Sequence, residues 1–227
     1  PIIKRSRDRA KDQTYVLWGI PLETLRRTLF PIGELTKTQV RKTAADAGLI
    51  TASEPESQDI CFIPNHDYRG FLRSYVPQRV SQDLPGRFIS PEGESMGRHR
   101  GLSQYTVGQR RGLGVTGPRP LYVQRIDPQD RTVTLTTRDR MLFDGCTVDN
   151  LNWLQSPENT GNGQSLSVHI RYNHPGVSCR ITPDGDSRVR VIFSSPQFAV
   201  TPGQSAVFYA GDELLGGGII LEGRLHD

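Results

Sequence analysis

The sequence has 227 residues, 35% of them hydrophobic and 23% charged, with a mean hydropathy of -0.49. A chain of this size buries a sizeable core, as one large domain or two small ones, and no apolar run in it approaches the length needed to cross a bilayer. The net charge is +4, with lysine only at Lys4, Lys11, Lys37 and Lys42; arginine's planar fork suits phosphates and base edges and favours a nucleic-acid partner, although codon bias in a GC-rich genome yields the same composition. Cys61, Cys146 and Cys179 are odd in number and show no short ligand spacing, so neither a disulfide framework nor a metal site is indicated, and a reducing, cytoplasmic compartment is expected. The first residues are charged and lack an apolar signal core. Pro1, not methionine, stands first, which points to a start inside a longer protein.

A basic run over residues 4–11 leads into Asp12 and the apolar Tyr15, Val16, Leu17 and Trp18, which predicts a short helix capped near Asp12. Pro21 opens a second helix, in which Leu22, Leu25 and Leu29 repeat at helical spacing, and Pro31 closes it. Thr36 and Gln39 form a capping-box pattern ahead of Val40, Ala44 and Ala47, and Gly48 supplies a C-terminal stop.

A charged stretch then precedes Ser57-Gln58-Asp59-Ile60-Cys61-Phe62-Ile63-Pro64. A free thiol has a pKa near ~8.5 and becomes a nucleophile or sulfur carrier only where neighbours lower that value. The bland alternative is a buried strand in which Cys61 is a small hydrophobe. Tyr68, Phe71, Leu72 and Tyr75 then predict an amphipathic helix packed beside the cysteine and ending at Pro77.

From Gly86 onward short alternating runs lie between glycine and proline turns: Arg87-Phe88-Ile89, Leu121-Tyr122-Val123 and Thr132-Val133-Thr134-Leu135. Between them, residues 98–114 hold Arg98, His99, Arg100, Arg110 and Arg111 among glycines. The stretch reads as a working loop, too rich in glycine and arginine to be a packed element. Runs at 167–172, 178–181, 188–193, 206–209 and 216–220 then predict a small antiparallel barrel, with Cys146 and Cys179 in structural roles. The fold class expected is α+β, mainly β: a helical N-terminal segment (1–50), a small central α+β domain (51–143) and a C-terminal antiparallel β-barrel (144–227).

Several stretches carry a resemblance: Lys11-Asp12-Gln13, Phe30-Pro31-Ile32-Gly33, Ser57 through Ile63, His99-Arg100-Gly101 with residues 105–114, Arg171-Tyr172, residues 201–209 and Gly216-Gly217-Gly218-Ile219-Ile220. In this order they resemble the tRNA 2-thiouridylase family, whose members replace the C2 oxygen of the wobble uridine with sulfur. The resemblance implies ATP-dependent adenylation of the uracil O2, with the ATP site in a pyrophosphate-loop domain, and a persulfide on the cysteine matching Cys61. A donor protein delivers the sulfur, and a second cysteine closes a disulfide with the first. It further implies tRNA contacts, at the anticodon arm, by Lys11, Asp12, Gln13, Arg171, Tyr172 and Gln204, with Arg98, Arg100, Arg110 and Arg111 available for phosphates.

Two features depart from the family pattern: no Ser-Gly-Gly-x-Asp-Ser loop occurs, and no cysteine precedes Cys61. The chain therefore resembles the C-terminal part of such an enzyme, with residues 1 to about 50 as the tail of the nucleotide domain. The competing readings are a non-catalytic RNA-binding module and a cysteine hydrolase using His66 or His99, neither of which is marked as a base. For His99 a structural hydrogen bond in a glycine turn is the favoured reading.

Overall fold

The computed structural model describes residues 2–54, 63, 67–78, 83–156, 165–185 and 187–226. Cys61, most of its segment and His66 lie outside the described residues, so the expected packing of a helix beside Cys61 does too. The chain divides into two compact units, Pro1–Glu54 with Phe143–Asp227, and Pro55–Leu142. In chain order the elements are β1 (Ile3–Lys4), α1 (Leu22–Leu25), α2 (Lys37–Asp46), α3 (Tyr68–Tyr75), β2 (Gly86–Ile89), β3 (Ser95–His99), β4 (Leu121–Asp127), β5 (Thr132–Thr137), β6 (Leu142–Trp153), β7 (Leu166–His169), β8 (Val177–Pro183), β9 (Val189–Phe198), β10 (Ser205–Ala210) and β11 (Glu213–Leu225). The fold is mainly β, as expected from the sequence.

In the first unit, pairing of β11 with β6 closes six strands, in the order β6-β11-β10-β7-β8-β9, into an antiparallel barrel. Strand β9 shows why: Val189, Val191 and Phe193 face the core while Arg190 and Ile192 face outward, the period of two that a one-sided strand requires. Strand β10 does not alternate, because both its faces are covered. Ala206, Phe208 and Ala210 fill the barrel. Val207 and Tyr209 lie under the N-terminal segment, packed with Ile3, Leu25, Leu154 and Leu214 and with the rings of Tyr15 and Trp18.

The glycine run of β11 makes this docking possible. A Cβ at Gly217 would stand 2.8 Å from the Trp18 ring and 2.8 Å from the Ala206 carbonyl, and Asn152 holds the same segment by donating to the carbonyls of Trp18 (2.6 Å) and Ile20 (3.1 Å). Residues 1–54 are thus built onto the barrel through β1, which pairs with β11, and through this apolar seam.

Helix α2 has the predicted capping box between Thr36 and Gln39, and Gly48 follows it at φ 71°. The helix expected over 22–29 stops at Leu25. Leu29 is 88% exposed, so its helical spacing finds no surface to pack on. The expected helix after Asp12 is a single tight turn, Thr14–Val16, and the Asp12 carboxylate accepts the Thr14 amide.

In the second unit the sheet order is β3-β2-β5-β4, with β2 and β5 parallel and the other pairs antiparallel. Phe88, Leu113, Val123, Val133 and Leu135 form its core. The expectation of an unpacked loop over 98–114 is corrected here. Arg98 and His99 end β3, Leu113 is buried in the core, and the Tyr105 ring stands edge-on to Phe88 at 5.2 Å. Backbone bonds from Gly108 to Val123 (2.8 Å) and from Val123 back to Gln109 (2.9 Å) fasten the stretch to β4. Positive φ at Gly101, Gly108, Gly112 and Gly114 lets the chain fold back in this way.

Candidate nucleic-acid interface

In the first unit the site begins at Asp12. Its Oδ2 accepts from Arg5 Nε (2.9 Å) and the Thr14 hydroxyl (2.9 Å), and its Oδ1 from the amides of Ser6 (3.2 Å) and Thr14 (3.2 Å). Desolvation works against the charge, but the hydrogen bonds from Arg5, Ser6 and Thr14 outweigh it and hold the carboxyl below its usual range. Asp12 is therefore committed to shaping the turn that presents Lys11 and Gln13.

The Gln13 side-chain amide donates to the Tyr172 hydroxyl across a separation of 159 residues. Beside it, the Tyr15 ring meets Tyr172 edge-on at 6.0 Å, and the Tyr15 hydroxyl donates to the Ser205 carbonyl at 2.9 Å. Arg171 is tied to the Phe198 carbonyl at 3.1 Å. The Gln204 backbone sits in a turn, donating to Thr201 and accepting from Ile220. The barrel thus gathers Gln13 and Tyr172, with Ser205, the neighbour of Gln204, linked to them through Tyr15. Tyr15 escapes a reading of the sequence because it stands in an apolar run and its partners come from β10 and the turn after β7.

Between these groups lies a cleft of about 200 Å³, lined by Arg5, Asp12, Tyr15, His169, Tyr172 and His174 among others. Burial, reinforced by the nearby Arg5 and His174, lowers His169 to about 4, and burial also lowers His174. Both are neutral near pH 7. The Gly176 amide donates to His174 Nδ1 (3.1 Å), which leaves the proton on Nε2 to reach Gln197 Oε1 at 3.0 Å. Burial raises Tyr15 and pushes Tyr209 up to about 12, so both phenols keep their protons as donors. Neither histidine was marked by its surroundings in the sequence.

In the second unit Arg98, Arg100, Arg110 and Arg111 are all exposed, and none has an ion-pair partner among the described residues. Arg119, Arg125 and Arg140, by contrast, pair with Asp139, Asp127 and Glu92. His99 is buried; Gly101 donates to its Nδ1 (3.2 Å), and its Nε2 reaches the Arg131 carbonyl (3.1 Å). That is the structural hydrogen bonding expected of it.

The two described cysteines are free thiols. Burial pushes both Cys146 and Cys179 up to about 12, so neither is a ready nucleophile. Among the described residues no three His, Cys, Asp or Glu side chains gather as a metal site, and no helix is long and apolar enough to cross a membrane.

Three family models match the chain in succession: a tRNA methyl transferase HUP domain over residues 1–65, a tRNA methyl transferase PRC-barrel domain over 69–137, and an aminomethyltransferase beta-barrel domain over 143–220. Similar curated proteins include the tRNA-specific 2-thiouridylase MnmA of Lachnoclostridium phytofermentans, 42% identical over 97% of this chain and 60% of its own length. The protein of the same description from Acidobacterium capsulatum is 44% identical over 97% of this chain and 60% of its own length. That from Synechococcus sp. strain JA-2-3B'a(2-13) is 45% identical over 95% and 57%. The chain spans about 60% of the length of these relatives. Matched over 95–97% of its length by these proteins and by three successive domain models, the chain belongs to the tRNA-specific 2-thiouridylase family.

Proposed function

We propose that this chain is the tRNA-holding and sulfur-carrying portion of an enzyme that replaces the C2 oxygen of a wobble uridine with sulfur. The observation that carries the reading is the meeting of Gln13 with Tyr172 across 159 residues. Two stretches that the family resemblance assigns to tRNA converge on one face, next to a cleft whose histidines are neutral near pH 7. In this reading Lys11, Gln13, Arg171, Tyr172 and Gln204 seat the anticodon arm, with Asp12 as the anchor of the turn. Cys61 holds the transferable sulfur as a persulfide received from a donor protein.

ATP activation of the uridine belongs to the reading through the family alone. No Ser-Gly-Gly-x-Asp-Ser loop occurs in the 227 residues, and neither α1 nor α2 is entered through a glycine run. Neither helix entrance thus offers the glycine nest that cradles ATP phosphates.

The test has two arms. Gln13→Ala with Tyr172→Phe is expected to weaken tRNA binding by less than the sum of the two single changes, because both remove one shared contact. Cys61→Ser is expected to accept no labelled sulfur from a cysteine desulfurase, while the parent chain does. Equal labelling of Cys61→Ser and parent would overturn the assignment of the sulfur to Cys61, and a parent chain that accepts no label while binding tRNA would leave a non-catalytic RNA-binding module as the correct reading.

A further inference from the structure

Near the buried ring of His99, the second unit collects arginines that have no ion-pair partner among the described residues. Arg87 on β2 stands directly across from Arg98 on β3. The Arg87 amide donates to the Arg131 carbonyl at 3.1 Å, toward β5, so its hydrogen bonds face away from β3 and the Arg87–Arg98 pair is of the non-hydrogen-bonded kind. In such a pair the side chains approach most closely, with Cβ atoms about 4.5–5.5 Å apart, and like charges there are destabilising. The Arg131 carbonyl also receives His99 Nε2 at 3.1 Å, and Arg98 and Arg100 flank His99 in the chain. Gly86 permits this convergence, since a Cβ there would strike both the Arg131 carbonyl and the His99 ring.

Arg87, Arg98, Arg100 and Arg131 are all exposed, and none has an ion-pair partner among the described residues. Two nearby acids have other partners: Asp83 accepts the Leu102 and Ser103 amides, and Asp127 pairs with Arg125. Two facing arginines held at close range are an electrostatic cost that a bridging anion removes.

We propose that Arg87, Arg98, Arg100 and Arg131 form a phosphate-binding patch for the RNA backbone, positioned by His99. This rests on the reading of tRNA as the partner and adds Arg87 and Arg131 to it. Arg100 lies two residues beyond Arg98, about 7 Å along an extended chain. Arg98 and Arg100 are thus spaced along the strand direction, which suits successive phosphates of a polynucleotide better than one triphosphate.

The experiment titrates the full chain with tRNA over a series of salt concentrations, comparing parent, Arg87→Gln, Arg98→Gln and Arg98→Glu, and records thermal unfolding without RNA. Each glutamine variant is expected to flatten the slope of log K against log salt by about 0.7–0.9, the signature of one lost phosphate contact. Its unfolding midpoint is expected to rise, because the repulsion is gone. Arg98→Glu raises the midpoint further, by pairing with Arg87, and weakens RNA binding more. Slopes equal to the parent's, or midpoints that fall, would overturn the patch while leaving the tRNA reading standing. A parent chain that binds no tRNA at any salt overturns both. ATP replaces tRNA in a parallel arm. Binding of ATP that these variants abolish, with tRNA slopes unchanged, would assign the arginines to a nucleotide and refute the RNA assignment.

Discussion

Asp12 illustrates how a single charged residue can serve an interface without touching the ligand. Both of its oxygens are filled by Arg5, Ser6 and Thr14, and replacing it leaves those donors without an acceptor. Asp12→Ala is expected to destabilise the chain by about 1–3 kcal/mol, the cost of unsatisfied buried groups, measured by urea unfolding. Asp12→Asn recovers part of this, since its remaining carbonyl still accepts. The Lys11-Asp12-Gln13 stretch could be picked out in the sequence, but the division of labour within it could not, because it depends on Arg5 and Thr14 folding back onto one carboxylate. Arg87 was passed over for a similar reason: it becomes conspicuous only when strand register sets it opposite Arg98.

At the scale of elements, what local chemistry dictates was readable and what pairing dictates was not. Helix α2 carries its capping box and its terminal glycine within its own residues. The stretch over 98–114 has its partner in β4, and its glycines serve a fold-back that no local pattern announces. The Gly216-Gly217-Gly218 run reads in the sequence as part of a barrel strand, but that Trp18 and β6 press directly on its glycines does not show there. Gly217→Ala is expected to cost about 1–3 kcal/mol through overpacking against the Trp18 ring. Gly19→Ala, with nothing within 4 Å of its new methyl group, is expected to stay within about 0.5 kcal/mol of the parent. Paired denaturant titrations of the two variants check the contrast.

For the whole molecule, the buried His169 makes stability fall as the solution turns acid. In the unfolded chain His169 titrates near its ordinary value of 6.5, whereas in the fold it is lowered to about 4, chiefly by burial. As pH falls from 6.5 toward 4 the unfolded state takes up a proton that the folded state refuses. Stability therefore drops across that window, by up to about 1.4 kcal/mol per pH unit for this group, and the loss is complete below about 4. Above 6.5 the group has no effect. His169→Phe is expected to flatten the fall in unfolding midpoint between pH 6.5 and 4.5, measured by circular dichroism at several pH values.

The first unit is also discontinuous along the chain, since Pro1–Glu54 and Phe143–Asp227 enclose the second unit. The earliest strand, β1, finds its partner only in the last one, where Ile3 faces Leu214. On a ribosome adding about 5–20 residues per second, that partner arrives on the order of ten to forty seconds later. The second unit, whose strands all lie within one continuous stretch, is complete well before then. Order of synthesis thus imposes an order of assembly: the arginine-bearing sheet closes first, while Tyr15 and Trp18 cannot take their places on the barrel until β10 and β11 emerge. A nascent chain arrested before residue 205 is accordingly the form in which this protein is most open to chaperone capture.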